Sequence, residues 1–453
     1  MQATMSEERP LCEVMEADVL APPADITERS VFRGGVLSSF GHRDFGLLWA
    51  GAFVSNTGTW IHTAALMWFV KELTASDAWV GAVNFANLFP IFLFVLVSGS
   101  LADRLNRKAL ILCTQTLMML MALTLAICTQ AGWANLAVIM AITSTMGVAF
   151  TFNFPAWRAI VPDLVPGRDM LNAIALDAAQ FNMARFIGPA IGALILNVWN
   201  AETAFYVNAV SFTAVIVAVL LIRTETPGSP SREDGLWKHI REGAGYIWRE
   251  RWPLKLLLPL GVIAFFGLSF IVLLPGFSKD VLRRGSGGYG FLLGCVGLGA
   301  VMGAPLVTSL SHRFRERDII RYSSLGLGSL LTAAAFCRNY WICLLIMWGI
   351  GAFSLMFSAT VNAILQARVK RDMRGRIMSY YILVFQGLLP IGGLLMGYLS
   401  DLRSATFSLF LGGAACLLVA AVLILIPSAL EGAAAGIPPL SRGGGREGGG
   451  SSP

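Results

Sequence analysis

The chain has 453 residues, of which 56% are hydrophobic and 13% charged, with a mean hydropathy of +0.67. A soluble globular domain carries roughly 25% charged residues, so a chain of this length has too little charge to cover a water-facing surface. The net charge of +7 follows from an uneven distribution of basic residues among membrane loops, described below, and requires no nucleic-acid partner.

The tail over 1–44 is acidic at Glu7, Glu8, Glu13, Glu16 and Asp18. It lacks a short apolar core, so no signal peptide is expected. A hydrocarbon layer ~30 Å thick is crossed by ~20 apolar helical residues. On that measure the chain predicts twelve transmembrane helices, at 45–70, 79–102, 108–130, 133–156, 171–198, 202–223, 253–278, 289–311, 318–336, 340–366, 375–400 and 404–427. They fall into a six-helix bundle over 45–223 and a second over 253–427. The linker between them, 224–252, is the most polar internal stretch, and its part from Trp237 to Trp252 reads as an amphipathic helix lying on a membrane surface. The tail over 428–453 is rich in Gly, Ser and Pro and is expected to be disordered. The seven cysteines form no CxxC pair and sit mostly in apolar runs, so they read as packing residues without disulfides or a metal site.

Basic residues set the orientation. With the N-terminus in the cytoplasm, the outside segments hold only Lys71, Lys279, Arg283, Arg284, Arg338 and Arg403. Every other Lys and Arg falls inside, except Arg185, which lies within a span. The two halves also echo each other. Gly99-Ser-Leu-Ala-Asp103-Arg104 closes the second helix and Thr308-Ser-Leu-Ser-His312-Arg313 the eighth. Arg168-Asp169-Met170 is matched by Arg371-Asp372-Met373, and Gly188-Pro189-Ala-Ile-Gly192 by Leu389-Pro390-Ile-Gly392-Gly393. Three matches in register indicate a duplicated six-helix unit, a design that lets a central site face either side of a membrane.

Gly99-Ser-Leu-Ala-Asp103-Arg104-Leu-Asn106-Arg107-Lys108 resembles the signature loop between helices two and three of the major facilitator superfamily, G-x-L-a-D-r-x-G-r-k. Asn106 replaces the usual Gly, and Asn also tolerates a left-handed turn. The resemblance implies an all-α membrane protein of two pseudo-symmetric six-helix halves, with this loop holding the halves together on the cytoplasmic side. Asp103 is expected to face the positive N-terminus of the eleventh helix near Gly375. Arg104 and Arg107 are expected to pair with Asp163 or Asp169. A narrower resemblance rests on Arg43-Asp-Phe-Gly-Leu-Leu-Trp49, Gly58-Thr59-Trp60-Ile-His62, Leu171-Asn172-Ala173, Phe181-Asn182-Met-Ala184-Arg185 and Arg374-Gly375-Arg376-Ile-Met378. It is similar to the drug and siderophore efflux branch that includes the enterobactin exporter and the macrolide efflux proteins. It implies export of a small molecule driven by protons from a cell membrane, with both termini cytoplasmic.

Gly188-Pro189-Ala-Ile-Gly192 resembles the fifth-helix antiporter motif without its upstream glycines. Small residues let helix backbones approach closely, and proline removes one helical hydrogen bond. Gly188, Pro189, Gly192, Pro390 and Gly393 therefore read as hinge or packing positions. The spacings Gly290/Gly294, Gly299/Gly303 and Gly393/Gly397 read the same way.

Arg185 sits near the middle of the fifth helix, where facing lipid costs on the order of 3 kcal/mol or more. It should point into the bundle, with Gln180, Asn182 or Gln386 as neutral partners. Asp177 is the sole carboxylate well inside a span and the candidate for proton coupling. It lies eight residues from Arg185, ~12 Å along the axis, too far for easy contact. His62 is the one histidine within a span; a buried, hydrogen-bonded role and a proton-sensitive one both fit it. Trp60 offers a stacking face or an interfacial anchor. Asn84, Asn87 and Gln386 are further candidate cavity liners. No phosphate-binding loop, nucleophile elbow or metal-binding pattern occurs, so neither an enzyme nor a cofactor is expected. A secondary transporter, working as a monomer, fits best. An importer or facilitator on the same fold, and a non-transporting sensor or scaffold, remain alternatives.

Overall fold

The computed structural model describes residues 37–224, 226, 236–311, 313–370 and 373–426, and every regular element among them is helical. The expectations placed on residues 1–36, on the tail after 426, on most of the linker before Leu236 and on the side chain of Asp103 lie outside the described residues. The first half comprises α1 (Arg43–Thr74), α2 (Asp77–Arg104), α3 (Arg107–Gln130), α4 (Leu136–Asp163), α5 (Met170–Val198) and α6 (Ala201–Leu221). A linker helix, Leu236–Glu250, follows. The second half comprises α7 (Leu254–Val281), α8 (Ser286–Ser311), α9 (Glu316–Phe336), α10 (Tyr340–Arg368), α11 (Arg374–Leu402) and α12 (Ala405–Leu425).

Among the described residues, eleven helices are long and apolar enough to cross a membrane. The exception is α1, which is long enough at 32 residues but carries Ser55, Asn56, Thr57, Thr59, His62 and Thr63 through its middle. It packs against α5 and α6. Its threonines satisfy themselves by donating one turn back, Thr57 to the Phe53 carbonyl at 2.7 Å, Thr59 to Ser55 at 3.0 Å and Thr63 to Thr59 at 2.8 Å.

Helix starts follow local capping chemistry. Asn135 accepts from the Val138 amide at 3.0 Å, Asn339 from Trp341 at 3.0 Å and Ser404 from Phe407 at 3.1 Å. Asn106, a residue type that tolerates a left-handed turn, does not make one here. Its φ is −61°, and its side chain accepts from the Ala109 amide at 3.2 Å, so it caps α3 in a role that Gly fills without a side chain. The fourth helix overruns its predicted end at 156, because Pro155 and Pro162 are carried inside it. In α7, regular helix gives way after Val262 to π-helical and 3-10 turns. There the single Ser269 hydroxyl proton is shared between the Ala264 carbonyl at 3.1 Å and the Leu389 carbonyl of α11 at 2.9 Å.

The halves repeat one packing plan. In the first, α1 packs on α5 and α6, α2 on α4, and α3 on α4 and α6. In the second, α7 packs on α11 and α12, α8 on α10, and α9 on α10 and α12. The halves meet along two symmetric seams, α2 with α11 and α5 with α8. Glycine makes both seams possible. A Cβ at Gly81 would stand 2.7 Å from the Gly393 carbonyl, and one at Gly297 would stand 2.9 Å from the Arg185 carbonyl. A Cβ at Gly290 would collide with Ala193.

Candidate functional site

On α5 the residues Ala173, Asp177, Gln180, Ala184, Gly188 and Gly192 form a buried stripe with helical spacing. The stripe lies on α1. Side-chain atoms at Gly188 would collide with Trp60 and stand 2.9 Å from the Thr57 carbonyl, and those at Gly192 would stand 3.2 Å from the Ile61 carbonyl. Pro189 is buried beside them, with its carbonyl against Gly290 of α8. In the C-terminal half Pro390 is buried, and Gly393 lies against Val272 of α7.

The same stripe carries a buried polar chain. Asp177, 8% exposed, accepts at Oδ1 from Trp157 Nε1 at 3.1 Å and from Gln180 Nε2 at 3.2 Å. Gln180, 1% exposed, in turn accepts at Oε1 from Asn56 Nδ2 at 3.1 Å. The cation beside Asp177 is Arg158 of α4, with Nη1 4.0 Å from Oδ2 and its guanidinium 5.2 Å from the Phe154 ring centre.

Arg185 lies on the adjoining face of α5. Its guanidinium stands 5.5 Å over the Trp60 ring, which itself packs edge-on to Phe181 at 6.1 Å. The contact is a cation–π pair, and among the described residues Arg185 has no ion-pair partner. This corrects the neutral partners expected for it. Gln180 is engaged with Asp177, Asn182 donates to its own helix at the Ala178 carbonyl at 2.8 Å, and Gln386 is exposed on α11. Trp60 and Arg185 thus share one site. His62 does not join them, since it sits on the α6 side of α1, 4.9 Å from the Phe205 ring and 4% exposed, with Nδ1 unpartnered. Asn87 is partly exposed on α2, where its carbonyl packs against Gly147 of α4.

Of the signature-loop residues, Arg107 pairs with Asp163 and also donates to the Ala159 carbonyl at 3.4 Å. Lys108 donates to the Ile222 carbonyl at 2.9 Å. Arg104 is exposed, and Gly99 has open space around it. Asp169 pairs with neither arginine of the loop. It holds the segment before α1, accepting from Ser38 Oγ at 3.0 Å with His42 Nε2 at 2.9 Å.

Sequence reasoning missed a polar latch at the opposite end, where α1 finishes and α2 begins. Asp401 of α11 accepts from the Asp77 amide at 2.7 Å, the Ala78 amide at 3.2 Å and Ser76 Oγ. A carboxylate of one half thereby caps a helix of the other, at the end where the helix dipole favours negative charge. Asp77 itself, 2% exposed, accepts from Ser400 Oγ at 2.5 Å. Lys71, 4% exposed, bridges Asp77 at 3.0 Å and Asp280 of α7 at 2.9 Å. Gly276 of α7 leaves the room that the Asp77 carboxylate occupies. One signal was available, since Lys71 stands alone as a basic residue before the second span.

A family model described as transmembrane secretion effector matches residues 34–439. The chain is 26% identical over 356 residues to a staphyloferrin A transporter of Staphylococcus aureus, covering 78% of this chain and 88% of the relative. It is 23% identical to the multidrug efflux pump Tap of Mycolicibacterium fortuitum, over 85% of this chain and 96% of that one. It is 21% identical to macrolide efflux protein A of Streptococcus pyogenes, over 84% and 95%. Among solved structures it resembles the nucleoside transporter NupG, with a TM-score of 0.69 and 13% identity over 84% of this chain and 99% of that one.

Proposed function

The chain belongs to the transmembrane secretion effector family of major facilitator transporters, and from that premise we propose that it exports an oxygen-rich, anionic small molecule in exchange for protons. The observation that carries the substrate class is Arg185, a fixed cation over the Trp60 ring without an ion-pair partner among the described residues. A guanidinium in a low-dielectric site favours carboxylate, phenolate or carbonyl oxygens, which it binds in a planar fork. Trp60 and Phe181 add a face for an aromatic or apolar part of the same ligand. The relatives named for multidrug and macrolide efflux support outward movement, and the one named a staphyloferrin A transporter supports a small-molecule substrate.

Asp177 supplies the proton step. Its carboxylate is held by Trp157 and Gln180 and lies beside Arg158. In an exchange cycle proton and substrate bind in alternation: Asp177 takes up a proton on the outer side, holds it while the substrate-free protein returns, and gives it up inside before the next anion binds. Both termini lie in the cytoplasm of a cell-membrane protein acting as a monomer. The Lys71–Asp77–Asp401 latch then closes the outer face, while the Arg185 site is loaded from the inner one. The two halves rock about their seams between the two states.

Inverted vesicles containing the protein, energised by a pH gradient, test this reading. Uptake of carboxylated or phenolic compounds should be abolished by an uncoupler and should exceed uptake of permanently cationic dyes. Preference for the dyes, or uptake indifferent to the uncoupler, overturns it. Cysteine labelling in intact cells tests orientation: position 284 should react with an impermeant reagent and position 249 should not.

A further inference from the structure

The linker helix does more than join the halves. It is fastened to α11 by Glu242 and Arg376, 2.7 Å apart, and by Gly243, whose missing side chain makes room for the Tyr380 ring. Between this helix, α7 and α11 runs a groove of about 500 Å³, in the size range of ligand sites. Ala244 and Trp248 line it from the linker helix, Leu258 and Phe265 from α7, and Val384 and Leu388 from α11. Its walls are almost wholly carbon. It is open to the surroundings, because Trp248 is 73% and Leu258 60% exposed.

The rim differs from the walls. Arg241, Ala244 and Trp248 are spaced by three and four residues and so share one face of the linker helix, and Arg251 directly follows its last residue, Glu250. Arg241 and Arg251 are exposed, one at each end of the groove-lining pair. Of the nearby acids, Glu242 is taken by Arg376, and Glu250 stands 4.0 Å from Arg249. An apolar slot rimmed by Arg241 and Arg251, which have no ion-pair partner among the described residues, and by an exposed tryptophan matches an amphiphile with an anionic head and a hydrocarbon tail.

We propose that this groove is a binding site for an anionic phospholipid, whose acyl chain lies along α7 from Leu254 to Phe265 and whose phosphodiester sits between Arg241 and Arg251. The proposal rests on the chain spanning a membrane with the linker helix at the interface. Basic residues at such an interface each favour anionic lipid by ~1 kcal/mol, so two arginines enrich it over zwitterionic lipid by on the order of tenfold or more. The lipid touches α11, which forms the seam with α2, and so sits where it bears on the packing of the two halves.

Trp248 is a built-in reporter. The full chain is placed in phosphatidylcholine nanodiscs containing increasing fractions of phosphatidylglycerol or phosphatidylcholine with brominated acyl chains, which quench tryptophan on contact. Subtracting the Trp248→Phe signal isolates Trp248 from the other tryptophans. Brominated phosphatidylglycerol should half-quench Trp248 at a mole fraction roughly tenfold lower than brominated phosphatidylcholine. Arg241→Gln with Arg251→Asn should erase that difference; Asn suits the left-handed φ of 57° at position 251. Equal quenching by the two lipids overturns the proposal, as does a preference that survives in the double variant. Quenching of the other tryptophans but not of Trp248 leaves the membrane-spanning reading intact and removes the site. Quenching of none removes both.

Discussion

A guanidinium keeps its proton at every working pH, so Arg185 contributes charge and geometry, whereas Asp177 can exchange a proton. Charge-assisted hydrogen bonds are worth about 1.5–3 kcal/mol, so Arg185→Gln should weaken efflux of anionic substrates by roughly 10- to 100-fold. Arg185→Lys keeps the charge, loses the fork and should fall between. A purely structural Arg185 gives a different pattern, loss of monodisperse protein on fluorescence-detected size exclusion with no change in substrate preference. Asp177→Asn retains an acceptor for Trp157 Nε1 and cannot be deprotonated. Efflux by this variant should no longer respond to the pH gradient, while substrate binding stays measurable; normal gradient-driven efflux excludes Asp177 as the coupling group. The isolation of Arg185 was legible in the sequence, because the spans hold so few acids. The pairing of Asp177 with Arg158 was not. It depends on how α4 and α5 are rotated against each other, which apolar runs leave open.

At the scale of helices, the glycines of α8 read alike in the sequence and differ in place. A methyl at position 290 would run into Ala193 and stand 2.8 Å from the Pro189 carbonyl, whereas at position 294 its nearest neighbours would be 3.7 and 3.9 Å away. Gly290→Ala should therefore destabilise the α5–α8 seam by about 1–3 kcal/mol, and Gly294→Ala should be close to neutral. Thermal denaturation in detergent, followed by size exclusion, reads the difference; equal melting of the two variants refutes the seam as drawn. The helices themselves were legible because lipid demands long apolar runs. The overrun of α4 past Pro155 and the irregular turns of α7 were not, since neighbouring helices, not local propensity, decide whether a broken backbone hydrogen bond is tolerated.

For the molecule as a whole, the latch between Asp401 and the start of α2 sets how readily the two halves part at that end. A carboxylate at a helix N-terminus contributes about 0.3–1 kcal/mol, and up to ~2 kcal/mol when partly buried. Asp401→Asn should shift the population toward separation there by roughly 2- to 30-fold. Spin labels at exposed Leu73 and Leu402, measured by pulsed dipolar spectroscopy, should report a larger long-distance fraction in this variant. An unchanged distribution denies the latch its role. No reading of the sequence finds this contact, because Ser76 and Asp401 are separated by 325 residues and only the closed arrangement of both halves joins them.

Lys71 and Asp77 belong to one half, Asp280 and Asp401 to the other. When the halves separate, the two exposed acids return to water, with Asp280 already half solvated in the closed arrangement. The deeply buried lysine keeps Asp77 as its counter-ion. No charge is left stranded in a low-dielectric interior, the event that makes breaking a buried ion pair cost about 3–5 kcal/mol. A clasp arranged in this way closes with electrostatic specificity and releases without stranding a buried charge, and a machine that must open and shut on every turnover needs both.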